Sequence, residues 1–98
     1  MQAEQIRTEF APLRLRAFLL TTLEAVTDES DRIQIAAAEE ERHITYTVLV
    51  PKTEMGKVIG KQGRMARTLR CLMGAAAMKY KRTCSLDIRE LEVQAVAA

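Results

Sequence analysis

Two glycines, Gly60 and Gly63, separate two stretches of helical pattern, Glu54 to Ile59 and Arg64 to about Tyr80. The chain must therefore turn from one helix into the next at Gly60-Lys61-Gln62-Gly63. A glycine takes backbone geometries closed to other residues. Without side chains, the pair also lets the backbone of a ligand come close. The helix that follows aims amide N–H groups and the positive end of its dipole at the gap, which suits phosphate. The loop is not a nucleotide P-loop, because no Ser or Thr follows Gly60-Lys61. The Gly-x-Gly-x-x-Gly dinucleotide fingerprint is absent as well.

Charge gathers around this turn. Pro51 to Arg82 holds nine basic residues and the single acid Glu54, a net +8. Met1 to Val50 holds five basic and nine acidic residues, a net −4, and Thr83 to Ala98 carries −2. A positive segment between negative ones points to a polyanion on one face. Trp is absent, and Phe10, Phe18, Tyr46 and Tyr80 are the only aromatic residues. A broad stacking platform for bases is therefore excluded.

Catalysis and metal binding find no support. His43 is the only histidine, and Cys71 and Cys84 do not form a Cys-x-x-Cys pair, so a zinc site lacks ligands. No nucleophile or base stands near His43 in the sequence, and it reads as a surface residue at a strand edge. Asp28, Glu29 and Asp31 read as helix-end and turn chemistry. No cofactor and no enzymatic activity are expected. Two buried thiols fit a reducing cytosol. Glu4, Arg7 and Glu9 break any secretory signal, and Ala17 to Leu20 is too short to cross a bilayer. A cytoplasmic chain without membrane insertion is expected.

The 98 residues make one domain. We expect a lead over 1–12, a packed domain over 13–90 and a tail over 91–98. Pro12 suits the first turn of a helix reaching Val26, with Leu15, Phe18, Leu19, Leu23 and Val26 on its apolar side. Arg32 to Ala38 alternates as a half-buried strand, with Ile33, Ile35 and Ala37 on one face. Glu39-Glu40-Glu41-Arg42 reads as a turn. His43 to Val50 alternates again, with Ile44, Tyr46, Val48 and Val50 on one side, so the two strands form an antiparallel hairpin. Thr53 is placed to cap the short helix, with Glu54 in its first turn. In the longer helix Met65, Leu69, Leu72, Met73, Ala76 and Tyr80 share the apolar side, and Arg64, Arg67, Arg70 and Lys81 take the opposite arc. Cys71, Gly74, Ala75 and Met78 lie close to that arc, a small-residue patch that suits a second chain as well as open solvent. Cys84 to Arg89 alternates as a third strand. The order α-β-β-α-α-β gives an α+β fold, a three-stranded sheet with helices on one face.

The Gly-x-x-Gly loop matches that of KH domains, which clamp the backbone of about four single-stranded nucleotides. Met55-Gly56-Lys57-Val58-Ile59-Gly60-Lys61-Gln62-Gly63-Arg64, then Ala66, Leu69-Arg70 and the alanine run 75–77, resemble the KhpA (YlqC-type) family of small bacterial KH-domain proteins. The resemblance runs from about Leu13 to Arg89. It implies a single type II (prokaryotic) KH domain, binding of single-stranded RNA, an RNA-chaperone role in the cytoplasm, and self-association. It also implies pairing with a larger KH-domain RNA-binding protein and a link to cell elongation and envelope growth. The chain departs from the usual pattern at Ala66, where many KH domains carry a large aliphatic residue; Met65 or Leu69 would fill that space.

On this resemblance the sugar-phosphate backbone runs over Gly60 to Gly63. Free amides at the start of the Arg64 helix, with the Lys61 and Arg64 side chains, meet the phosphates. Val58 and Ile59 form an apolar floor for bases or belong to the core, Ile59 being the stronger candidate for core. Gln62 is a polar spacer. Lys57, Arg67 and Arg70 widen the positive field or serve solubility alone, and Lys79, Lys81 and Arg82 touch the far end of the groove or only decorate a turn. A competing expectation is a protein-interaction module that uses the same fold to dimerise, with RNA secondary.

Overall fold

A computed structural model of the chain describes residues 10–91. The expected lead and tail lie for the most part outside the described residues. Helix α1 spans Ala11–Val26 with Pro12 in its first turn. Its buried stripe is Ala11, Leu15, Leu19 and Leu23, one residue per turn. Burying each leucine contributes roughly 1.5–3 kcal/mol. Phe18, assigned to this stripe from its spacing, lies on the rim and is 40% exposed. Ala11 is fully buried and joins the core.

A short 3₁₀ turn at Ser30–Arg32 leads into strand β1, Gln34–Glu40. Strand β2 is His43–Val50. The two pair antiparallel from Gln34↔Leu49 to Glu40↔His43. The hairpin turn is thus only Glu41-Arg42, and Glu39 and Glu40, expected in the turn, belong to the strand. Glu41 makes the tight turn feasible by taking φ +55°. In β2 the even positions Ile44, Tyr46, Val48 and Val50 are buried and the odd ones half-buried, the alternation of a sheet with one covered face.

Helix α2, Lys52–Ile59, is followed by the glycine loop and by helix α3, Arg64–Met78. Strand β3, Thr83–Glu90, then pairs parallel to β2 from His43↔Thr83 to Val50↔Glu90. A parallel neighbour needs a long crossover, which α2, the loop and α3 supply. The sheet order is β1-β2-β3. α3 packs on β3 and on α1, and α1 packs on β1.

The core lies between the helices and the even face of β2. α3 contributes Ala66, Leu69, Met73 and Ala77, with Tyr80 just beyond it. Leu72, expected on this face, is 41% exposed instead. Tyr46 is fully buried and donates its hydroxyl to the Pro12 carbonyl oxygen at 2.6 Å, tying the start of α1 to the central strand. Burial pushes that phenol up to about 12.

Candidate nucleic-acid interface

The turn between α2 and α3 is built from left-handed backbone. Gly60 takes φ 79° and ψ 170°, Gln62 φ 57° and ψ 25°, and Gly63 φ 75° and ψ 13°. Gly60 N–H closes α2 on the Gly56 carbonyl at 2.8 Å. Gly63 N–H bonds the Gly60 carbonyl at 3.1 Å, and Arg64 N–H bonds that of Lys61. The amide expected free at the start of α3 is therefore occupied at Arg64, because a 3₁₀ turn at Lys61–Gly63 runs straight into the helix. The two glycines are needed for different reasons. A Cβ on Gly60 would stand 2.6 Å from Met65 Cβ and 2.7 Å from Met65 N. At Gly63 the nearest atom to such a Cβ is Arg67 Nη1 at 3.4 Å, an ordinary contact, so only the positive φ demands glycine there.

Around the loop Lys61, Gln62, Arg64 and Arg67 are exposed, and the Arg67 guanidinium lies beside Gly63. Arg70, one turn further, donates its Nε to the Leu86 carbonyl on β3 at 3.1 Å. It therefore sits between the helix and the sheet edge. Lys79, Lys81 and Arg82 lie at the other end of α3, about 22 Å away for a helix of this length. There Arg82 pairs with Glu39, and Lys79 lies over the Tyr80 ring, 5.7 Å from its centre.

Two residues read from sequence as ligand contacts, Val58 and Lys57, are placed differently. Val58 is fully buried and belongs to the core, whereas Ile59 is the half-exposed member of the pair, the reverse of the expected order. Lys57 points away from the loop. Its Nζ lies 2.5 Å from Asp28 Oδ2 and 2.9 Å from Glu54 Oε1. Glu54, 1% exposed, accepts the Asp28 amide at 2.6 Å and also the Glu29 amide. The Glu29 amide foremost, then Lys57, hold the Glu54 carboxyl below its ordinary value. Hydrogen bonds to Asp28 and then to Glu54 push Lys57 up to about 12. Thr53 does not cap α2. Its hydroxyl donates to Glu29 Oε2 at 3.0 Å, and Pro51 stands at the cap position. One signal for this cluster was in the sequence, since Glu54 is the lone acid of the basic segment and lies three residues before Lys57. Its partners lie more than twenty residues upstream, beyond the reach of any local pattern.

His43 spans the open face of the sheet, with Nδ1 2.6 Å from Thr83 Oγ1 and Nε2 2.8 Å from Ser85 Oγ. These contacts fasten β2 to β3. The outer face of α3 carries exposed Cys71, Leu72, Ala75 and Met78, the last 74% exposed. Gly74, counted in that patch from spacing, is half-buried. No helix among the described residues is long and apolar enough to cross a membrane.

Residues 16–88 match the family model described as KhpA/KhpB, KH domain. Among curated proteins, the chain is 34% identical over 76 residues to the RNA-binding protein KhpA of Aquifex aeolicus, covering 78% of this chain and 96% of that protein. It is 33% identical over 76 residues to the RNA-binding protein KhpA of Listeria monocytogenes, covering 78% and 100%. A third relative, the RNA-binding protein KhpA of Halalkalibacterium halodurans, is 41% identical over 64 residues, covering 65% of this chain and 84% of the relative. Each name is that of a binding protein, and none names a catalysed reaction.

Proposed function

The chain belongs to the KhpA/KhpB KH-domain family, and on that footing we propose that it is a non-enzymatic RNA-binding protein that grips single-stranded backbone on the Gly60–Gly63 loop. The observation that carries this reading is the loop itself. Gly60, Gln62 and Gly63 take positive φ in a tight turn, and exposed Lys61, Arg64 and Arg67 stand around it. Phosphates would meet the Lys61 and Gln62 amides and the Lys61 and Arg64 side chains, with Arg67 and Arg70 extending the positive field along α3. Half-exposed Ile59 is the apolar contact offered to a base. With few aromatic residues to stack on, binding is weak and tolerant of sequence. Neutralising about four phosphates of a single strand gives a log–log salt slope of roughly −3.

One such domain holds about four nucleotides, so useful affinity calls for a second domain. The exposed Leu72 and Met78 on α3 favour self-association through that helix or pairing with a larger KH-domain protein. An RNA-chaperone role in the cytoplasm, linked to cell elongation, is the cellular setting that the family resemblance implies. The same exposed face favours the second reading, an interaction module in which RNA is secondary.

The test is fluorescence anisotropy of labelled single-stranded RNA at low and moderate salt. The native chain is run beside a double variant, Lys61→Asp with Gln62→Asp, which keeps both glycines and puts negative charge where phosphate would sit. Loss of binding by the folded variant supports the clamp. Equal binding by both places RNA elsewhere on the basic surface and overturns it. Absence of binding by the native chain, with tight self-association, turns the reading to an interaction module.

A further inference from the structure

We infer that Glu54 and Lys57 are positioning residues of the clamp, forming with Asp28 an ionic latch that fixes α2, and hence Gly60, against the connection between α1 and β1. This rests on the reading of the loop as an RNA clamp. α2 has only eight residues, and its buried side chains are Glu54 and Val58 alone. A helix that short does not hold itself in water. Val58 and half-buried Met55 dock it on the core, and the Glu54 carboxylate docks it on the α1–β1 connection. The carboxylate is satisfied from three sides, by the Asp28 and Glu29 amides and by Lys57 Nζ. Thr53 adds a fourth tie, to the Glu29 carboxylate. A buried carboxylate tolerates its site only while paired and hydrogen-bonded, so each tie depends on the others.

The last turn of α2 ends directly at Gly60, whose amide closes on Gly56. Gly60 in turn abuts Met65, the second residue of α3, with no space for a methyl group between them. A shift of α2 is thus carried into the loop without slack. Lys57 therefore serves RNA from behind. Its charge is spent on Asp28 and Glu54, and it stands on the side of α2 that faces the α1–β1 connection.

Direct contact and latch predict opposite signs at Asp28, whose side chain is 83% exposed and whose replacement leaves the core intact. If Lys57 gripped phosphate, Asp28→Asn would free it and tighten binding. As a latch, Asp28→Asn weakens binding. The experiment is a set of RNA anisotropy titrations across salt for native protein, Asp28→Asn, Lys57→Gln, Lys61→Gln and the Asp28→Asn/Lys57→Gln pair. Amide hydrogen exchange of 60–63 is measured without RNA. Lys61→Gln should make the salt slope shallower by about 0.7, the increment for one phosphate on a single strand. Lys57→Gln and Asp28→Asn should each weaken binding several-fold at unchanged slope, speed exchange in the loop, and be no worse combined than alone.

A slope change at Lys57→Gln equal to that of Lys61→Gln overturns the latch, as does tighter binding by Asp28→Asn. If the native chain binds no RNA, the clamp reading fails, and the exchange data still decide the latch: unchanged protection of 60–63 in Lys57→Gln overturns it.

Discussion

Gly60 and Met65 stand so close that a single methyl group on Gly60 would lie 2.6 Å from the Met65 Cβ. The turn between α2 and α3 is closed by that contact. Met65 is drawn half-buried against the loop, and Leu69, 1% exposed, fills the core behind it.

Gly60→Ala is expected to cost about 2–4 kcal/mol, from a backbone geometry reserved for glycine and from overpacking against Met65. Gly63→Ala should cost only about 1 kcal/mol, since a methyl group there makes an ordinary 3.4 Å contact with Arg67 Nη1 and only the left-handed φ resists. Urea unfolding of the two variants checks the difference. Equal losses would contradict the geometry.

Tyr46→Phe removes the hydroxyl that donates to the Pro12 carbonyl while keeping the buried ring. A loss of about 1 kcal/mol is expected from the missing hydrogen bond. In thermal melts this corresponds to a fall of roughly 4–8 °C for a domain of this size.

An acid edge from Glu54 and an alkaline edge from Tyr46 and Lys57 are expected in the pH profile of stability. Glu54 has a carboxyl held below its ordinary 4.5 in the fold, so its contribution is present above pH 4.5 and is lost as pH falls further. Tyr46 and Lys57 are both raised to about 12 in the fold. Their contributions are present below pH 10 and 10.5 and are lost as pH climbs towards 12. Glu54→Gln should flatten the acid edge, and Tyr46→Phe should soften the alkaline one, in chemical denaturation run at each pH.

Leu72→Asp puts a charge in the middle of the exposed face of α3 without touching the core. If α3 is the self-association surface, sizing by light scattering should show the variant shifted to monomer, with its thermal midpoint as a free monomer unchanged. A native chain that is monomeric at every concentration tested would remove self-association from the proposal.

Most of the fold was legible because alternation and helical spacing are local properties. The even face of β2 is buried as its pattern requires, and α3 begins where Gly63 ends. Misreadings arose where local pattern and tertiary contact diverge. Phe18 and Leu72 have acceptable helical spacing, yet each sits at the rim of a stripe about one residue wide per turn. Glu39 and Glu40 looked like loop by charge, yet Glu41 alone supplies the left-handed turn, so the strand extends to meet it.

The candidate site divides the same way. Gly60, Lys61, Gln62, Gly63, Arg64 and Arg67 lie together because they are neighbours on one turn and the first turn of one helix, an arrangement fixed by sequence spacing. The parallel pairing of β3, the burial of Val58 and the commitment of Lys57 to Asp28 and Glu54 were decided only by the tertiary structure. Each depends on a contact between segments far apart in the chain. A lysine in a basic segment carries the same charge whether it faces solvent, phosphate or a buried carboxylate, and only packing α2 against the α1–β1 connection settled which it meets.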